Sequence, residues 1–86
     1  MTGTAEIVMY GADWCGDCRR AKAWFKRNEV PYTAIDVEHD DQARDQAIEL
    51  AGGRQNIPVV VLPGGVVLVE PSDTQLAEAV EKALTA

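Results

Sequence analysis

The chain has 86 residues, nearly half of them apolar, and a net charge of -6; that is enough for one small core but hardly for two, so a single domain over residues 1–86 is expected. The acidic balance argues against nucleic acid, whose binding draws on clustered Lys and Arg, and no apolar run approaches the roughly 20 residues that cross a bilayer. With no basic start leading into an apolar leader, the expectation is a soluble cytoplasmic protein without membrane contact, its thiols reduced at rest.

The stretch "AEIVMY" (Ala5 to Tyr10) is short and rich in β-branched and aromatic residues, as a buried strand is, and it stops at Gly11. From Gly16 to Asn28 the spacing turns helical. Cys18, Ala21 and Phe25 fall at i, i+3 and i+7, Trp24 widens the stripe, and Arg19, Lys22, Lys26 and Arg27 supply the wet side. "VPYTAIDVE" then alternates, with Tyr32, Ala34 and Asp36 on one side and Thr33, Ile35 and Val37 on the other, behind a Pro31 that suits a strand start. In "DDQARDQAIELAGG", Ala43, Ala47, Leu50 and Ala51 share a helical face that acids open and Gly52 and Gly53 close. "IPVVVLP" and "VVLVEP" flank Gly64 and Gly65, which reads as a hairpin with both strands buried. Ser72 and Gln75 form a capping-box pattern ahead of Leu76, Val80, Ala83 and Leu84 on one face of a last helix. The order β-α-β-α-β-β-α predicts a three-layer α/β domain with a mixed four-stranded sheet, its first β-α-β unit parallel, flanked by three helices.

Both cysteines lie in "WCGDC", where the first strand hands over to a helix. Two cysteines so close in sequence restrain the unfolded chain little, which makes them a poor staple. A structural zinc needs about four ligands, and beyond the pair there is one His and no second cysteine pair, so no metal is expected. His39, amid Glu38, Asp40 and Asp41, reads as a solvated residue at a helix entrance. A redox pair fits best. Free N–H groups and the helix dipole at the N-terminus favour a thiolate at Cys15, the expected exposed nucleophile. Cys18, one turn further in on the apolar face, is placed to resolve a mixed disulfide formed there, although cysteine can also serve simply as a small apolar residue. Gly16 leaves room for a substrate backbone or a small thiol. Asp17 suits the helix's first turn and has Arg20 three residues on; functionally, a carboxylate beside Cys15 opposes the thiolate and makes a disulfide harder to reduce.

With "MYGADWCGDC", "VPYTAIDVEHD", "GGRQNIPVVV" and "VEPSDTQL" in view, the whole chain resembles a glutaredoxin-type member of the thioredoxin superfamily, and within it the mycoredoxins of actinobacteria. The resemblance implies a thioredoxin/glutaredoxin-like fold and a cis-proline at Pro58 facing the cysteines, leaving the Ile57 backbone to pair with an extended substrate. An ordinary proline at a strand start is the plainer reading. Tyr10 and Trp14 would edge the groove, or Tyr10 belongs to the core and Trp14 is an exposed hydrophobe without a role. The family holds the polar part of a low-molecular-weight thiol at the start of the last helix, here Pro71, Ser72, Asp73 and Thr74, where plain capping by Ser72 is the alternative. Two departures stand out. Many relatives carry a basic residue shortly before the first cysteine and Pro-Tyr inside the pair, where this chain has Asp13 and Gly-Asp; and the family's threonine ahead of Val-Pro is Asn56. Both turn the expectation from glutathione toward mycothiol, a sugar-based thiol with fewer charges.

The implied activity is a thiol–disulfide oxidoreductase acting on protein mixed disulfides as a monomer, with the small thiol as co-substrate, no permanently bound cofactor, and a flavoprotein reductase as a further candidate partner. Two other functions compete. One is a dithiol donor to a reductase such as ribonucleotide reductase, against which "VEPSD" lacks the Trp-Ser-Gly-Phe-Arg-type ending of those redoxins. The other is iron–sulfur cluster binding between two subunits through Cys15 and a bound thiol.

Overall fold

The computed structural model describes residues 6–85, and the part of the first expected strand at Ala5 lies outside them. The observed order is β1 (Val8–Gly11), α1 (Gly16–Arg27), β2 (Thr33–Asp36), α2 (Asp41–Leu50), β3 (Val59–Val61), β4 (Val67–Val69) and α3 (Asp73–Thr85). One four-stranded sheet runs β2-β1-β3-β4. β1 pairs parallel with β2, Val8 opposite Thr33, and antiparallel with β3, Met9 opposite Val60; β3 and β4 are antiparallel. The mixed sheet and the element order are those expected from the sequence.

Strand alternation divides the core into two layers, because successive side chains point to opposite faces. Ile7, Met9, Val60 and Leu62 meet Ala21, Trp24 and Phe25 of α1 and Leu76 and Val80 of α3. On the other face Tyr10 and Val59 meet Val37 and the Ala43, Ala47 and Ala51 stripe of α2. Small alanines let that helix approach the sheet closely. Phe25, wholly buried, stacks on Tyr32 with ring centroids 4.7 Å apart and meets Trp24 edge-on at 5.5 Å.

Helix boundaries follow local chemistry. Asp40 caps α2 by accepting the Ala43 N–H, and the helix stops where Gly53, at φ 95, donates back to the Ile48 carbonyl at 2.8 Å. Gly64 and Gly65 both take positive φ in the β3–β4 turn, as a tight hairpin requires. Ser72 and Gln75 make both bonds of the capping box at the start of α3.

Three expectations need correction. Leu50 and Leu84 are exposed: each sits at the rim of its helix's apolar stripe, beyond the reach of the sheet. β4 is only half-buried, because it is an edge strand with an open outer flank. The strands are also shorter than their apolar runs, since pairing partners end before the β-branched residues do.

Phe25→Ala is expected to cost about 3–5 kcal/mol, the range for deleting a buried aromatic ring whose site cannot collapse. Urea unfolding checks it through a lowered midpoint.

Candidate active site

β1 runs out at Gly11, and a turn closed by the Cys15 N–H on the Ala12 carbonyl at 3.2 Å sets up the next element. Cys15 is the N-cap of α1: its backbone is extended, its carbonyl accepts the Arg19 N–H at 3.0 Å, and its sulfur accepts the Cys18 N–H at 3.3 Å. A sulfur thus takes the place that a Ser or Asp oxygen usually holds at a helix start, where free N–H groups attract negative charge. On its other side the Cys15 thiol faces the Ile57 carbonyl at 3.9 Å.

That tuck corrects one expectation. Cys15 is only 9% exposed rather than open, because capping draws its sulfur over the first turn. Gly16 beside it borders open space, where an added Cβ would find nothing within 4 Å. Cys18 is fully buried, and its thiol is pushed up to about 12, first by burial, then by the hydrogen bond and charge of Cys15; a backbone bond at Ala12 and the Lys22 ammonium pull the other way. Gly11 lies directly behind it, where a Cβ would come within 2.8 Å of the Cys18 sulfur.

The Ile57–Pro58 bond is cis, with Pro58 buried and the Ile57 carbonyl turned to Cys15. Trp14 is exposed beside the pair, its indole Nε1 donating to the Glu38 carboxylate at 2.7 Å. Tyr10 is elsewhere: it is 5% exposed among Val37, Ala43, Ala47 and Val59, packing against α2 instead of edging a groove. Its position in a central strand puts alternate residues on the α2 face.

Arg20 links the cysteine helix to the start of α3. Its guanidinium donates to the Asp73 carboxylate at 2.6 Å and to the Pro71 carbonyl at 3.0 Å, while Asp17, its expected partner, stands at 3.6 Å. Arg27 adds a second cation 3.7 Å from Asp73. Ser72 is occupied by the capping box, so the segment that the sequence offers to an anion already has its own carboxylate and cap in place. Among the described residues no group of three or more His, Cys, Asp or Glu is arranged to hold a metal ion.

Sequence reading missed Glu38, Gly11 and the Arg20–Asp73 pair. Asp73 is 53 residues from Arg20 and Glu38 is 24 from Trp14, so no local spacing links them. His39 is highly exposed, as expected, but its ring Nδ1 lies 2.7 Å from Asp36, whose other oxygen accepts the Glu38 N–H. The side-chain bond between them raises His39 above 6.5 and lowers Asp36 below 3.8.

Comparison with known proteins agrees with this geometry. A family model described as glutaredoxin matches residues 7–67, a span that includes both cysteines and Pro58. A Mycobacterium tuberculosis protein whose name places it among the glutaredoxins is 33% identical over 69 residues, covering 80% of this chain and 82% of that one. The crystal structure of a glutaredoxin from Archaeoglobus fulgidus superposes with a TM-score of 0.75 at 26% identity, covering 88% of this chain and 86% of its own. A thioredoxin-like protein gives 0.73 at 28% identity, with 84% and 96% covered.

Gly11→Ala is expected to destabilise the protein by about 1–3 kcal/mol, since the new methyl must displace a buried sulfur; chemical denaturation of the reduced protein checks this. The His39–Asp36 attraction needs both groups charged. The His39 share is complete below pH 6.5 and disappears as pH rises through its raised midpoint; the Asp36 share is complete above 3.8 and is lost as pH falls through its lowered one. A ring-proton NMR titration should place the His39 midpoint above 6.5, falling back toward it in Asp36→Asn.

Proposed function

The chain belongs to the glutaredoxin family, and from that premise we propose that it reduces mixed disulfides between proteins and a low-molecular-weight thiol, with mycothiol favoured over glutathione. Membership of the family makes it a thiol–disulfide oxidoreductase; Cys15 is assigned the first attack and Cys18 the resolving one. The supporting observation is the unequal setting of the two sulfurs. Cys15 caps a helix beside an accessible glycine, while Cys18 is buried with its thiol pushed up to about 12.

The Cys15 thiolate attacks the small-thiol sulfur of the mixed disulfide. The old S–S bond breaks, the target protein leaves as a thiolate that takes up a proton, and the small thiol stays on Cys15. In the monothiol route a second small thiolate attacks that bound sulfur, giving the symmetric small-thiol disulfide and freeing Cys15. In the dithiol route Cys18 loses its proton and attacks the Cys15 sulfur, expelling the small thiol and leaving a Cys15–Cys18 disulfide. Two electrons from further thiol or a flavoprotein reductase must then restore it. Two of the causes that hold the Cys18 proton, the hydrogen bond to Cys15 and its charge, vanish once Cys15 is in a mixed disulfide. Burial, the largest cause, remains, so the Cys18 thiol stays raised but by less than in the reduced pair.

The departures from the family pattern around Cys15 support the choice of thiol. Asp13 and Asp17 stand where many relatives carry a basic residue and a tyrosine, Asn56 is tied to Glu70 at 2.8 Å, and Arg20 is already engaged by Asp73 at the start of α3, which leaves fewer free cations for a thiol bearing two carboxylates, a lack that matters less to a sugar-based one. We read the chain as one glutaredoxin-like domain over residues 1–86, working as a monomer in a reducing cytoplasm.

The test is turnover of a protein mixed disulfide with mycothiol, glutathione or thioredoxin reductase as the electron source. Mycothiol should give the fastest turnover; exclusive use of the reductase would overturn the proposal in favour of a dithiol donor. Cys18→Ser is expected to stay within about ten-fold of the parent through the monothiol route, while Cys15→Ser loses both routes.

A further inference from the structure

Trp14 is a large apolar side chain, 64% exposed, directly ahead of Cys15 in the chain. Exposed indoles on a turn sample several rotamers unless something holds them. Here a single partner does: the Glu38 carboxylate accepts the Nε1–H at 2.7 Å, a charge-assisted bond from the loop after β2 to the loop before α1. Glu38 is itself oriented, because its backbone N–H donates to Asp36 at 2.7 Å in a turn that His39 closes from the other side. The carboxylate is presented by a built turn instead of hanging from a free loop.

Trp14 and Glu38 line a recess of about 190 Å³ together with Ile57, the residue whose carbonyl faces the Cys15 sulfur. Arg44 and Arg54 also line it. Ile57 is shared by the recess and the Cys15 contact, so the recess adjoins the place where a disulfide would meet Cys15. An indole fixed across it offers a broad apolar face at low entropic cost, whereas an indole free to swing must be ordered by each incoming substrate.

We propose that Glu38 is a positioning residue: by holding the Trp14 indole as the wall of this recess, it sets how the polypeptide around a target disulfide is received beside Cys15. The inference rests on the reading of Cys15 as the attacked sulfur's partner, and it concerns binding, not the chemical step. Glu38 touches no reacting atom; it acts through Trp14. Gln at this position retains an acceptor oxygen for the indole, whereas Ala removes it.

The experiment compares parent, Glu38→Ala and Glu38→Gln on a peptide mixed disulfide and on a small symmetric disulfide with no flanking polypeptide. Glu38→Ala should raise KM for the peptide by about five- to ten-fold, the range a single hydrogen bond carries, with kcat and the KM for the small disulfide changing by less than about two-fold. Glu38→Gln should bring the peptide KM back to within about two-fold of the parent. An unchanged peptide KM in Glu38→Ala would overturn the inference, as would an equal rise for both substrates or a Gln variant that behaves like Ala. A parent protein that turns over neither substrate would instead sink the functional reading itself, and the role of Glu38 with it. A merely decorative surface acceptor would move none of these ratios.

Discussion

The N-terminus of α1 is the point on which the rest of the site depends. A helix begins with backbone N–H groups that have no partner inside it, and a small polar atom one residue upstream is the usual remedy. In this protein the atom is the Cys15 sulfur, accepting from the Cys18 N–H at 3.3 Å. The bond serves the fold and the chemistry at once. It terminates the helix in a defined register, and it places the sulfur where the helix dipole favours negative charge. Because the same register puts the next cysteine one turn on, Cys18 falls on the apolar stripe with Ala21 and Phe25. Helical geometry separates a sulfur at the helix start from one on its apolar stripe.

Packing behind the helix then fixes how far apart the two environments lie. Cys18 sits against Gly11, a strand residue without a side chain to occupy the space its sulfur fills. Burial and the neighbouring Cys15 keep its proton on. Around this pair the charges are distributed unevenly: Arg20 engages Asp73 and the Pro71 carbonyl, and so pins the start of α3 to the cysteine helix. Asp17 is left with a longer contact to the same guanidinium. On the opposite side, the Asp36–His39 turn and Glu38 hold Trp14.

Much of this was legible in the sequence, for reasons that differ by element. Helix α1 was clear because Cys18, Ala21 and Phe25 repeat at helical spacing, and the redox reading of "WCGDC" followed because capping and periodicity are local. The α3 capping box was equally local, with both bonds formed between residues three apart. Burial was less legible. Tyr10 could edge a groove or enter the core until β1 was known to be central with α2 packed over that face. β4 looked buried from its valines and is an edge strand. Leu50 and Leu84 satisfied a helical pattern yet lie beyond the sheet's margin.

The sequence by itself therefore determined the element order, the α/β class and the place of Cys18 on the apolar face of a helix that starts at the cysteines, since periodicity and helix-end signals lie within a few residues. Tertiary structure decided which distant groups meet. Arg20 finds Asp73 across 53 positions, Trp14 finds Glu38 across 24, and Cys15 finds the Ile57 carbonyl across 42. A chain's local pattern carries no information on such distances. They are fixed only when packing on one sheet brings the start of α1 to the start of α3, to the loop after β2 and to the segment before β3.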